Sequence, residues 1–117
     1  MKVLIADDQA EVRSAIKILL EQEYELDVLD EVEDAGSLYL KTRKMCPDLI
    51  LLDWELSNRT MTDAVPVLRG FAPGLRIIAL SGRPEAEKTA LMAGVDAFVS
   101  KGERPEKLLD AKKAIRL

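Results

Sequence analysis

The chain has 117 residues, the length of one domain, and its 48% hydrophobic content can fill a core without staples. It carries a single cysteine, Cys46, and no histidine, which excludes a disulfide scaffold, His-based acid/base or nucleophile pairs and most transition-metal sites. A net charge of −4 and five scattered aromatics argue against direct nucleic-acid binding, and apolar runs of at most four residues are too short to span a membrane or form a signal-peptide core. These features predict one soluble, cytoplasmic domain over residues 1–117.

Residues 3 to 6 (Val-Leu-Ile-Ala) form a short apolar run that stops at Asp7 and Asp8, the pattern of a strand buried on both faces. Val12, Ala15, Ile16, Leu19 and Leu20 then share one helical face, with Asp8 or Gln9 placed to cap it. Apolar residues among acids from Leu26 to Val32 predict a second, more exposed strand, and residues 35 to 45 a second helix closed by Cys46 and Pro47. Residues 49 to 52 (Leu-Ile-Leu-Leu) repeat the first pattern and stop at Asp53.

Pro66 interrupts an apolar pattern and fits only the first turn of a third helix, so that helix is expected to start at Thr62 or Asp63 with Thr62 as cap. A fourth strand runs over residues 77 to 80 to Ser81 and Gly82. Pro84 opens a fourth helix, and Gly94 ends it. Residues 95 to 99 predict a fifth strand, and Pro105 starts a last helix with Leu108, Ala111 and Ile115 on one face. Strict alternation of five strands and five helices argues for an α/β parallel sheet covered on both sides.

Ligands of such sheets bind at the strands' C-terminal edge. That edge collects Asp7, Asp8, Asp53, Ser81, Ser100 and Lys101. Singly, each would serve as a cap, a turn or a surface lysine. Jointly they form a carboxylate crevice that needs a cation, and Mg²⁺ fits because it takes oxygen ligands and needs neither His nor Cys.

Four stretches carry a specific resemblance: Lys2-Val3-Leu4-Ile5-Ala6-Asp7-Asp8, Pro47-Asp48-Leu49-Ile50-Leu51-Leu52-Asp53, Ile77-Ile78-Ala79-Leu80-Ser81, and Ala93-Gly94-Val95-Asp96-Ala97-Phe98-Val99-Ser100-Lys101. Together they resemble the receiver domain of bacterial two-component response regulators, over essentially the whole chain. The resemblance implies a flavodoxin-like, doubly wound sheet of strand order 2-1-3-4-5. It further implies a phosphorylation-dependent signalling switch, not an enzyme in its own right. Asp53 would be the phosphoacceptor, assisted by Ser81 and Lys101, with Ser81 and Phe98 as the switch pair. Mg²⁺ would be held by Asp8 and Asp53, by Asp7 through water, and by the backbone carbonyl of Glu55.

The resemblance also implies a phosphohistidine donor, and because the chain lacks His that imidazole must come from another protein, a histidine kinase or phosphotransfer partner. A homodimer through the fourth helix, fifth strand and fifth helix is also expected, on a face made basic by Lys107, Lys112 and Lys113. The Asp7-Asp8-Gln9 opening and Gly102 after Lys101 resemble the branch that often carries helix-turn-helix output domains. Against the family pattern, Ser57 stands where a Pro is common and residues 58 to 61 lack Gly, which predicts an unusual loop. Glu55 and Arg83 flank the crevice, each expected as a solvated charge or as a pair across its mouth. Two other readings are a receiver-like interaction module that works without phosphate and an aspartate-nucleophile phosphohydrolase. Asp53 and Glu55 match the acid pair of such hydrolases only loosely.

Overall fold

A computed structural model describes residues 1–115, which form a five-stranded parallel sheet in the order β2-β1-β3-β4-β5. The strands are β1 (Lys2–Ala6), β2 (Asp27–Val32), β3 (Leu49–Asp53), β4 (Arg76–Ser81) and β5 (Ala97–Ser100). Between and after them run α1 (Ala10–Leu20), α2 (Ala35–Met45), α3 (Ala64–Phe71), α4 (Glu87–Met92) and α5 (Glu106–Ala114). Fold class and helix count are those the sequence pattern predicts, and the strand order is the one the family resemblance implies.

Side chains of a strand alternate between faces, and here the alternation builds two cores. Val3, Ile5, Leu49, Leu51, Ile78 and Leu80 pack with Ile16 and Leu20 of α1 and Leu108 of α5. Their neighbours Leu4, Ala6, Ile50, Leu52, Ile77 and Ala79 pack with Leu38 of α2, Leu68 of α3 and Ala90 of α4. Burying one Leu or Ile contributes about 1.5–3 kcal/mol. A helix cap contributes about 1 kcal/mol, so the apolar runs set the topology. Only β2 is largely half-exposed, as its mixed composition predicts, and its pairing to β1 slips by one residue after Val3.

The helix starts differ from expectation. Gln9 holds the cap position of α1 without a side-chain cap bond, and the Gln9 N–H donates to Asp7 Oδ1 instead, at 2.9 Å. For α3, Asp63 precedes the helix in helical backbone and neither it nor Thr62 caps. A turn in which Ala64 N–H donates to Met61 O leads directly into the helix, leaving Pro66 in its first turn. Pro84 opens a short 3₁₀ turn, residues Pro84–Ala86, before α4 proper. β5 starts at Ala97, two residues after Val95, because Asp96 turns its carboxylate onto Ile77 N–H and the Arg69 guanidinium.

The turn after α4 needs Gly94, whose φ of 107° would strain any other residue. Among the described residues no helix is long and apolar enough to cross a membrane.

Candidate phosphoryl site at the strand ends

Parallel pairing places Ala6 beside Leu52, Asp53 beside Leu80, and Ser81 beside Ser100. Residues next to these positions therefore meet at one edge. Asp7, Asp8 and Asp53 do meet there, with carboxylate oxygens within 4.8 Å of one another. Asp7 is fully buried and Asp53 nearly so, whereas Asp8 faces solvent.

Lys101 reaches into the cluster from the end of β5. Its Nζ lies 2.8 Å from Asp7 Oδ2 and 3.4 Å from Asp53 Oδ1. Burial works against the Lys101 charge, but the hydrogen bond to Asp7 and the nearby Asp53 carboxylate outweigh it, leaving the ammonium above its usual range. Asp53 shifts the other way from a paired acid. Burial raises its pKa first and the Asp7 charge second, and Lys101 and the Glu55 N–H only partly offset them. One ammonium against three carboxylates leaves the crevice short of positive charge. A hard divalent cation with oxygen ligands, such as Mg²⁺, fits that donor set.

Arg13 fixes the floor of the site. Its guanidinium donates to Asp7 O at 2.7 Å while its Nε pairs with Glu31 at 2.8 Å, which locks the β1–α1 turn. Nothing in the helical spacing of Arg13 signals this role, because it depends on β2 lying next to β1.

Ser81 is fully buried at the end of β4. Its Oγ lies 2.9 Å from each carboxylate oxygen of Glu55 and accepts Arg83 N–H at 3.0 Å. Glu55 therefore engages Ser81, and no ion pair joins it to Arg83 among the described residues. Glu55 lies in the turn two residues past Asp53, at the end of the strand that pairs with β4, and that placement brings it to Ser81. The backbone carbonyl of Glu55 accepts Asn58 N–H at 3.0 Å, inside a short 3₁₀ turn.

The loop after β3 is unusual, as the missing Pro and Gly predict. Ser57 and Asn58 both take left-handed backbone, with φ of 58° and 59°. Proline could not adopt that angle. Ser57 Oγ in turn accepts the Ala35 N–H at the start of α2, 3.1 Å away.

Phe98 is half-buried in β5, paired beside Ala79 and packed against the core under α2, α3 and α4. Ser100 Oγ accepts the Gly102 N–H at 3.4 Å. Of the three lysines expected to make the α5 face basic, Lys112 pairs with Glu25, ahead of β2, so that face keeps only Lys107 and Lys113 exposed. Trp54 is buried with its indole N–H unpartnered among the described residues.

A family model described as the response regulator receiver domain matches residues 3–113. The chemotaxis protein CheY of Halobacterium salinarum is 29% identical over 112 residues, covering 94% of this chain and 92% of its own. The virulence-factor transcription regulator BvgA of Bordetella pertussis is 28% identical over 116 residues, and there this chain covers only 55% of the relative's length. Among solved structures, the isolated receiver domain of RcsB from Salmonella enterica serovar Typhimurium superposes with a TM-score of 0.86 at 26% identity, covering 97% of this chain and 86% of that one.

Proposed function

The chain belongs to the response regulator receiver domain family, and from that premise we propose that it is a signalling switch phosphorylated on Asp53. The observation that carries this reading is the buried Asp53 carboxylate at the end of the central strand, 3.4 Å from the Lys101 ammonium and beside two further acids. In the transfer, an Asp53 oxygen forms a bond to phosphorus as the bond from phosphorus to the donor breaks, and the electron pair leaves with the donor. With no His among its 117 residues, the chain takes a phosphohistidine donor from a histidine kinase or phosphotransfer partner.

Mg²⁺, when bound, supplies the charge neutralisation that lets one anion approach another. Asp8 and Asp53 would hold it directly and Asp7 through water. The Glu55 carbonyl would add a ligand through its second lone pair, since Asn58 N–H already takes one. Lys101 neutralises the phosphoryl oxygens from the other side, and Asp7 keeps its ammonium in place. Ser81 donates its hydroxyl to a phosphoryl oxygen, and its movement frees space towards β5 and Phe98. A group of about two negative charges need favour the active arrangement by only a few kcal/mol to reverse a minor population.

The state-dependent face comprises α4, β5 and α5, where Leu91 and Met92 are exposed apolar side chains suited to a second copy. DNA contact, as in regulators of this family that carry output domains, would fall to a separate domain. The site of action would be the cytoplasm, and the domain would catalyse nothing beyond its own phosphorylation and dephosphorylation. The left-handed loop at Ser57 and Asn58 favours a second reading, a receiver-like interaction module that works without phosphate. The test is intact-mass spectrometry after incubation with acetyl phosphate and Mg²⁺. One phosphoryl mass should appear and Asp53→Asn should abolish it. No adduct on the unaltered chain would favour the second reading.

A further inference from the structure

The hydroxyl that the proposed switch requires is already engaged. Ser81 Oγ sits 2.9 Å from both oxygens of the Glu55 carboxylate. A serine has one proton to donate, and among the described residues its other side-chain contact, from Arg83 N–H, uses Oγ as acceptor. Ser81 is fully buried, so water does not compete for that proton. A bond to an ionised acceptor is roughly twice as strong as a neutral one and gains further in a poorly solvated crevice. For Ser81 to meet a phosphoryl oxygen on Asp53, Glu55 must release it.

We infer that Glu55 is a positioning residue whose carboxylate holds the Ser81 hydroxyl away from the phosphoryl site, as an internal competitor for the incoming anion. The inference rests on Asp53 being the phosphoacceptor. The Glu55 backbone is fixed independently, its N–H on Asp53 Oδ1 at 3.2 Å and its carbonyl on Asn58, so the side chain alone swings. Arriving negative charge repels the carboxylate and attracts the hydroxyl it was holding. The two events are therefore one exchange of acceptors. If nine molecules in ten hold the contact, the apparent affinity for a phosphoryl analogue falls about tenfold.

The test is titration of the whole chain with beryllium fluoride in excess Mg²⁺, followed by fluorescence of Trp54, the single tryptophan and next in sequence to Asp53. Glu55→Ala should bind about three- to tenfold more tightly than the unaltered chain. Glu55→Gln, which keeps an acceptor without the charge, should fall between. In a Ser81→Ala background the Glu55→Ala gain should disappear. An equal gain in that background would assign the effect to charge repulsion alone and overturn the inference, as would no gain in Glu55→Ala itself.

A second readout needs neither metal nor analogue. The Arg83 backbone amide resonance should move in Glu55→Ala, because its acceptor is Ser81 Oγ, and an unmoved amide would count against the contact. If the unaltered chain takes up no beryllium fluoride, the phosphoacceptor reading fails first and this inference with it.

Discussion

The two ends of the same sheet use the same residue type in opposite ways. At the end where the strands start, Asp48 accepts Lys2 N–H at 2.7 Å, and Asp96 accepts Ile77 N–H at 2.7 Å while pairing with Arg69 at 3.0 Å. These carboxylates pin backbone. At the end where the strands stop, Asp7, Asp8 and Asp53 face one another and share Lys101. The first arrangement spends polar groups on holding the chain together, and the second keeps them under mutual repulsion. A carboxylate that repels its neighbours is a binding site in waiting, whereas one satisfied by backbone N–H groups is part of the scaffold.

The sharpest way to break the comparison is to remove a scaffold acid. Asp96→Ala strands the buried Ile77 N–H and takes the carboxylate from Arg69, which keeps the carbonyls of Leu75 and Gly94 as acceptors, and should cost about 2–3 kcal/mol in a urea unfolding series. The fraction still folded should accept phosphate as before. Loss of the adduct at unchanged stability would show that the two ends are not separable.

At the other end the sign should invert. Asp53→Asn removes a buried charge whose pKa is raised by burial and by Asp7, so the metal-free fold should gain on the order of 1 kcal/mol, against the usual destabilising direction of substitutions. Because the folded pKa of Asp53 lies above its ordinary 3.8, the folded state binds the extra proton. Its penalty is present at neutral pH and is relieved as pH falls through the folded value. Glu31, held down by Lys17 first and Arg13 second, behaves oppositely. Its contribution is present above its ordinary 4.5 and lost as pH falls through the depressed folded value. Acid titrations of Asp53→Asn and Glu31→Gln should therefore deviate from the unaltered chain in opposite senses.

The smallest effect expected is that of Asp48→Ala, about 0.5–1 kcal/mol, since the Lys2 N–H it leaves lies near solvent and water replaces the acceptor.

Much of the fold was legible because the central strands are unbroken apolar runs, and burial of Leu49 to Leu52 or Ile77 to Leu80 outweighs every local preference. The crevice acids were legible for the same reason, since each follows such a run. Helix starts were not. Thr62 has the right chemistry for a cap, but the Met61–Ala64 turn supplies the bond from backbone. Likewise Val95 has strand chemistry, yet Asp96 is drawn to Arg69, a partner 27 residues away. Contacts between elements stayed hidden too. Asp7 with Lys101, Arg13 with the Asp7 carbonyl, and Glu55 with Ser81 depend on which strands are neighbours and on which rotamer a side chain takes. Composition and spacing carry neither.

The sheet is also a partition. Leu51 and Leu52 are consecutive in the chain, yet one belongs with α1 and α5 and the other with α2, α3 and α4. A change of volume at Leu51 falls on the cluster that includes α1 and α5, and one at Leu52 on the cluster that includes α2, α3 and α4. For a designer this makes the molecule two half-cores sharing a wall, each open to repacking without reference to its opposite. The polar residues along the top of that wall answer to both halves at once.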